Sequence, residues 1–450
     1  MGLFGRRRKE STSPGTPAPA PNRSDGRAES PAAEIRRQVE AGDLRGAITR
    51  LQEAPVSDAE FAELVARIGH SVELSDLTRA GQTAEARPQD HEALYQLGYE
   101  LIEVGLPELA VRPLTTAYRQ GFDARVVFEL VAALESLDRH GDAAWLLRTH
   151  EAELPPGGTQ YLLVHNLLQS GAVDEALRRG VDVTDVQGLG DAPGALRSRL
   201  ARAWDRRAAT SSLHPQDLRG WQFVLDATVL LTLSPWGIDT MNGRHGFTSD
   251  SFAQCAVALE RLRLVLDTAG VRPHHVALLP DRDSRILGLA VAQSLGLPSR
   301  AYTPGDPGGL VVAYRLETLA AELQEALVKR APGEILFEHV GQWVTPARVV
   351  PDVVTFLAQA VTAPWGAQLT FGNGPTPVAH EVPADDSPAE DLAARICATP
   401  PEDFAGDADA VPDGPDVLAR FVREARQSWP DADRRLRRPG NGPVRSARFL

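Results

Sequence analysis

The sequence predicts a multidomain protein in which α-helical hairpin repeats precede an α/β domain with a mostly parallel sheet. Three observations lead there. From residue 31 to about 180, apolar residues recur at helical spacing, with turns near Gly42, Gly105, Gly141 and Gly171. From about 220 to 365, short β-branched runs alternate with amphipathic stretches, the order that gives parallel strands joined by crossover helices. The chain is also 450 residues long, too long for one compact core.

Residues 1–30 are Pro, Ser, Arg and Gly without period. Such a segment buries too little apolar surface to offset its ordering entropy, and a disordered N-terminal arm is expected. Its Arg6-Arg7-Arg8-Lys9 cluster reads as solvated charge. No long apolar core follows that cluster, so it does not read as a secretory signal. No apolar run reaches the ~18 residues of a membrane span. Cys255 and Cys397 are the only cysteines and show no ligand spacing, which suits a reduced, cytoplasmic compartment. The net charge of −13 argues against a general nucleic-acid binder. Lys9 and Lys329 are the only lysines, a bias we assign to GC-rich codons, so arginine counts carry little functional weight.

In the helical region three glycines obey one local rule: Gly42, Gly105 and Gly171 are each followed five residues later by alanine, at 47, 110 and 176. The clearest unit is "HEALYQLGYELIEVGLPELAVRPLTTAY", residues 91–118. Leu94, Leu97, Gly98 and Leu101 form one helix face, Gly105 breaks the helix, and Ala110, Leu114 and Ala117 form the next face. Small residues at 98 and 110 let the two helices approach closely. This unit resembles the tetratricopeptide repeat, although Leu94 replaces the usual aromatic and Pro113 sits inside the second helix. The resemblance implies stacked hairpins whose concave face holds a protein partner.

Residues 181–219, with Gly188, Gly190, Pro193, Gly194 and an Arg-rich helical stretch near 196–207, read as a connector. "WQFVLDATVLLTL" from Trp221 reads as a strand, and "SPWGIDTMNGRHGFTSD" as a long glycine-rich loop. A helix over 251–266 follows, with Ser249 or Asp250 as its expected cap. "HHVALLP" is a short buried strand, 284–295 a helix, "SRAYT" and "LVVAY" strands, 316–327 a helix and "EILFEHV" a strand. Residues 366–450 form an acidic, Pro-rich and then Arg-rich tail (Arg434, Arg435, Arg437, Arg438) with short helices.

The candidate site is "PDRDSRILG", residues 280–288. In an open parallel sheet ligands bind beyond the carboxyl ends of the strands. Asp281, Arg282, Asp283 and Ser284 stand there, at a helix N-terminus whose free N–H groups and dipole favour an anion. Capping accounts for Asp283 and Ser284 but leaves Asp281 and Arg282 unexplained. Asn242 and Arg244, in the glycine-rich loop, are expected to lie beside this loop and close over the same cleft. A phosphate- or sugar-bearing small molecule is the expected ligand.

From about 250 to 340 the order of elements, with "VALLPDRDSRILGLAVAQSLGLP", resembles a type I phosphoribosyltransferase, which implies a pyrophosphate loop there. The family's acidic pair and Thr-Gly-rich loop are missing from Leu310–Thr318, so the fold is implied without that chemistry. Phe223–Leu231, with Asp226, is similar to the opening strand of PIN-type nucleases. Asp283 and Asp306 extend that likeness, which implies a Mg²⁺ site for phosphodiester hydrolysis. His274-His275 lacks a second ligand pair, and no dedicated metal site is expected. No phosphate-binding or dinucleotide-binding glycine loop occurs, so no cofactor is expected either. The reading is an interaction or ligand-sensing protein; the alternative is an enzyme acting on a phosphate-bearing substrate.

Overall fold

The computed structural model describes residues 30–181, 183, 190–210, 213–371, 379–404, 406–407, 413–430 and 440–449. The expected N-terminal arm and the arginine cluster at 434–438 lie outside the described residues. The chain divides into two compact units, one ending at Pro88 and one beginning at Gln89. Among the described residues no helix is long and apolar enough to cross a membrane.

The first unit contains two helical hairpins, Pro31–Glu40 (α1) with Leu44–Glu53 (α2), and Asp58–Ser71 (α3) with Ser75–Ala86 (α4). Local chemistry sets the helix starts. Ser30 accepts from the Ala33 N–H ahead of Pro31, and Ser57 forms a reciprocal capping box with Glu60. The α3 and α4 backbones touch: a Cβ at Gly81 would lie 2.8 Å from the Ala66 nitrogen.

The second unit opens with three more hairpins. They are His91–Glu103 (α5) with Pro107–Gln120 (α6), Ala124–Ser136 (α7) with His140–Thr149 (α8), and Pro156–Gln169 (α9) with Val173–Gly180 (α10). Helix α6 runs through Pro113, which is buried. Ala47, Ala110 and Ala176, the alanines of the glycine rule, are all fully buried, and their glycines have φ between +78° and +85°. The turn expected near Gly141 is there, made by Asp138 at φ +53°, while Gly141 itself lies inside α8. Glu73, at φ +61°, makes the α3–α4 turn. The left-handed residues 42, 73, 105, 138 and 171 are thus spaced by 31, 32, 33 and 33 residues, a regular helical repeat.

Ala192–Ala209 (α11) and Leu218–Asp226 (α12) follow. The strand expected from Trp221 is a helix as far as Asp226. Asp217 caps it by accepting from the Gly220 N–H, and Ala227 ends it in the left-handed conformation. Because all of Leu218–Leu225 is buried, the run carries no polar face from which a period could be read. Only Val229–Leu230 (β1) is strand.

The glycine-rich stretch holds the short Ile238–Met241 (α13) and a strand, His245–Ser249 (β2). Then come Phe252–Ala269 (α14), His275–Leu278 (β3), Arg282–Leu295 (α15), Ser299–Ala301 (β4), Gly309–Ala313 (β5), Ala321–Val328 (α16), Ile335–Gln342 (β6) and Val353–Thr362 (β7). A two-stranded antiparallel hairpin, Gln368–Phe371 (β8) and Ala379–Val382 (β9), and helices Ala389–Ala398 (α17) and Pro415–Ala425 (α18) complete the chain.

Every pairing in the main sheet is parallel, in the order β4–β3–β5–β6–β7, with β1 and β2 both along the far edge of β7. The apolar character of "HHVALLP" matches its place: β3 has a neighbour on each side and is buried throughout. One face carries Val276, Leu278, Val312 and Phe337 under α14, α15, α17 and α18. The other carries Ala277, Val311 and Leu336 under α16. After β3 the chain steps outward to β4 and then returns to β5 on the opposite side. The order therefore reverses between β3 and β5, where such sheets form their crevice.

Candidate functional site

The crevice position is occupied by side chains. Ser284, fully buried at the start of α15, accepts at Oγ from the Tyr314 N–H just past β5 (2.9 Å), which ties the two strand ends together. Trp365 and Tyr314, each 1% exposed, pack with ring centroids 5.3 Å apart, and the Trp365 indole N–H donates to Asp283 Oδ1 at 2.6 Å.

Asp281, Arg282, Asp283 and Ser284 stand together at the N-terminus of α15, beyond the carboxyl end of β3. The cap of α15 is Asp281, not Asp283 or Ser284: its Oδ1 accepts from the Ser284 N–H at 2.9 Å. Capping thus accounts for one of the two residues that it had left unexplained. Its Oδ2, though buried, has no hydrogen-bond partner among the described residues. Arg282 donates to the carbonyls of Asp385 and Ser387, which fastens the segment leading into α17.

Asn242 and Arg244 are not beside this loop. They precede β2, and β5, β6 and β7 lie between β2 and β3. Asn242 donates to the Arg445 carbonyl, and the buried Arg244 guanidinium donates to the carbonyls of Val444 and Asn441 and to Ser446 Oγ. Both residues anchor a C-terminal segment. That segment also reaches the α7–α8 turn, where Asp138 accepts from Asn441 and pairs with Arg448.

The three aspartates of the nuclease-like reading, Asp226, Asp283 and Asp306, and the neighbouring Asp281 have separate partners. Asp226 accepts from Gln222 and pairs with Arg199. Asp306 pairs with Arg300 and faces His275 at the start of β3. Asp281 and Asp283 are engaged at α15 as described.

A different cluster forms deeper in the core. Register places Tyr314, His339 and Thr355 side by side across β5, β6 and β7, on the face beneath α14. Asp250, directly after β2, points into this row, and Cys255 descends from the first turn of α14. Asp250 Oδ2 accepts from Tyr314 Oη (2.8 Å), His339 Nε2 (2.9 Å) and Cys255 Sγ (3.4 Å); Sγ and Nε2 are 3.8 Å apart. The Asp250 and His339 side chains are wholly buried. Burial, then the Asp250 charge, pushes the Cys255 thiol and the Tyr314 phenol well above their ordinary values. Cys255 is therefore a protonated, inaccessible thiol, not an activated nucleophile. Ser251, rather than Ser249 or Asp250, caps α14, and this frees the Asp250 carboxylate for the cluster.

No sequence motif announces these residues. Cys255 and His339 lie 84 positions apart, and an aspartate just ahead of a helix reads as a cap. Sheet register alone brings them together.

The first unit carries an open groove of about 550 Å³ along α1, α3 and α4. Glu63, at its floor, receives Arg36 in a two-oxygen pairing across the helices and also pairs with Arg67. Glu40, His70 and Glu85 line the remaining wall. Compared with known proteins, the chain matches no protein-family model, and no curated protein matches it.

Proposed function

We propose that the protein is a cytoplasmic interaction scaffold whose hairpins, of tetratricopeptide type, hold a protein partner in the groove along α1 and α3. The observation that carries this reading is the groove itself. It is open, about 550 Å³, and lined by charged side chains of α1, α3 and α4 in two successive hairpins. Repeat arrays use such surfaces to bind extended segments. The near-regular 31–33-residue spacing of the turns supports the tetratricopeptide assignment over a generic helical bundle. In the α/β domain Ser284 and Asp283 at the crevice are spent on internal hydrogen bonds, which favours a structural platform over a catalytic centre.

A second reading, a phosphate- or sugar-bearing ligand at the N-terminus of α15, draws support for its sugar hydroxyls from one observation, the Asp281 Oδ2 that has no partner among the described residues and can accept from a hydroxyl. The catalytic versions of that reading find less support, since the phosphoribosyltransferase acidic pair is missing from the sequence and the aspartates of a PIN-like site have separate partners. The test of the scaffold reading compares proteins co-purifying with the full chain and with an Arg36→Glu, Arg67→Glu variant, after circular dichroism has shown both to be folded. A partner retained by the wild type and lost from the variant is expected. Identical partner sets would refute groove binding.

A further inference from the structure

We propose that Asp250, Cys255 and His339 form a structural site for one zinc-class divalent cation, closed within the core of the α/β domain. Among the described residues this is the group of three or more His, Cys, Asp or Glu side chains whose donor atoms converge, all within 4.8 Å of one another, and all three residues are buried. Bonds of about 2.0–2.3 Å in a tetrahedral site place neighbouring donors about 3.3–3.6 Å apart. The observed separations of 2.9, 3.4 and 3.8 Å bracket that range. Shifts of a few tenths of an ångström then seat the ion without moving the backbone.

The donor set selects the metal class. Thiolate and imidazole favour zinc-like ions, whereas magnesium and calcium require oxygen shells. The surroundings have the form that metal sites use. His339 Nδ1 lies 3.1 Å from Thr355 Oγ1, which orients the ring so that Nε2 faces the other donors. The second Asp250 oxygen is held by the Ser251 N–H at 2.8 Å. The Tyr314 hydroxyl, 2.8 Å from Oδ2, is the nearest candidate for a fourth donor.

Charge gives the strongest argument. Asp250 is a wholly buried carboxylate whose one ion-pair partner among the described residues is His339. Buried charges are ordinarily paired with a fixed cation or bound to a metal. Binding M²⁺ displaces the Cys255 thiol proton to solvent and moves the imidazole proton from Nε2 to Nδ1, where it donates to Thr355 Oγ1, so that the metal–sulfur and metal–nitrogen bonds form. Dication, carboxylate and thiolate then sum to zero, with imidazole and phenol neutral. A net-neutral centre suits an apolar core, and it pins β2, β6 and α14 to one point. The metal-free alternative is a network in which three side-chain donors crowd a single carboxylate oxygen.

The experiment uses the full, untagged chain. Elemental analysis of protein from zinc-supplemented cells is expected to give one zinc per chain. After chelation and exchange with cobalt(II) chloride, a sulfur-to-cobalt charge-transfer band and the intense visible bands of a four-coordinate ion are expected. The Cys397→Ser variant removes the other cysteine without touching the site, so a band retained there belongs to Cys255. His339→Gln is expected to lower the metal content at least tenfold. If His339→Gln does not fold, the Cys397→Ser spectrum still decides. Protein without stoichiometric metal, whose melting temperature ignores added zinc and cobalt, overturns the site. So does a cobalt complex without the thiolate band.

Discussion

Gly98 provides a quantitative test of the hairpin packing. It lies on the α5 face against α6, and a Cβ there would stand 2.4 Å from Leu114 Cγ and 2.6 Å from its Cδ2. Leu114 is fully buried and cannot swing aside. Two opposing effects act on Gly98→Ala. Helix propensity favours alanine by about 1 kcal/mol. Overpacking a close contact costs about 1–3 kcal/mol, so the net expectation is a loss of roughly 0–2 kcal/mol. The balance reverses if Leu114 is first truncated. Leu114→Ala alone costs about 2–5 kcal/mol, but adding Gly98→Ala to it then recovers about 1 kcal/mol of propensity, with nothing left to strike. The double-mutant cycle should show a coupling of about 1–3 kcal/mol. Hydrogen exchange on peptides from 91–120 reads this locally, which suits a chain of more than one unit. Slower exchange by about fivefold on Gly98→Ala in the wild-type background would mean that propensity acts unopposed, and the close approach of α5 and α6 would be refuted.

Three further outcomes follow from the structure. Burial holds the His245 imidazole at about 4, below its ordinary 6.5, against the weaker opposing pull of Asp250. The unfolded chain therefore takes up the proton first, and stability is lost as pH falls from about 6.5 towards 4. Between pH 7 and 5 the wild type should lose about 2 kcal/mol more than His245→Gln; equal losses in urea titrations would mean that His245 is not held neutral. At the α15 cap, Asp281→Ala should cost about 0.5–2 kcal/mol while Asp281→Asn keeps most of the stability; thermal melts that rank the two alike would show that the cap is not what Asp281 supplies. Limited proteolysis should cut near Pro88 before it separates α11 from α12, because buried Arg206 donates to the Val224 carbonyl and secures α11 to α12. A first cut within 181–219 would place the division there instead.

The hairpins were legible in the sequence wherever glycine makes the turn. At Glu73 and Asp138 the same left-handed turn is made by residues that rarely adopt it, so the regular period was hidden behind uneven glycines. Gly105 and Ala110 gave the register because both faces of that turn follow the local rule. The parallel sheet was legible from alternation, but "WQFVLDATVLLTL" was not. A segment buried on every side has no polar face, and the Asp217 cap and the left-handed Ala227 decide its helix. At the candidate site the placing of 281–284 at a helix N-terminus beyond a buried strand agrees with the structure, although the helix already begins at Arg282, whereas the grouping with Asn242 and Arg244 does not. Position along the chain gives no measure of how many strands intervene. The Asp250–Cys255–His339 convergence depends on the pairing of β2 and β6 with β7, and so escaped any spacing argument.

The edge of the sheet has a consequence for how the chain is made. Among the described residues β1 pairs only with β7, and Val353 is translated 124 residues after its partner Val229. At roughly 5–20 residues per second, the ribosome delivers the matching strand about 6–25 s later. Throughout that interval Val229, Leu230 and Leu231 leave the exit tunnel with no sheet to join, although all three are destined for full burial. Any message that ends before β7 is encoded yields a product whose first strand never finds its neighbour. Quality control then meets an apolar edge rather than a finished domain.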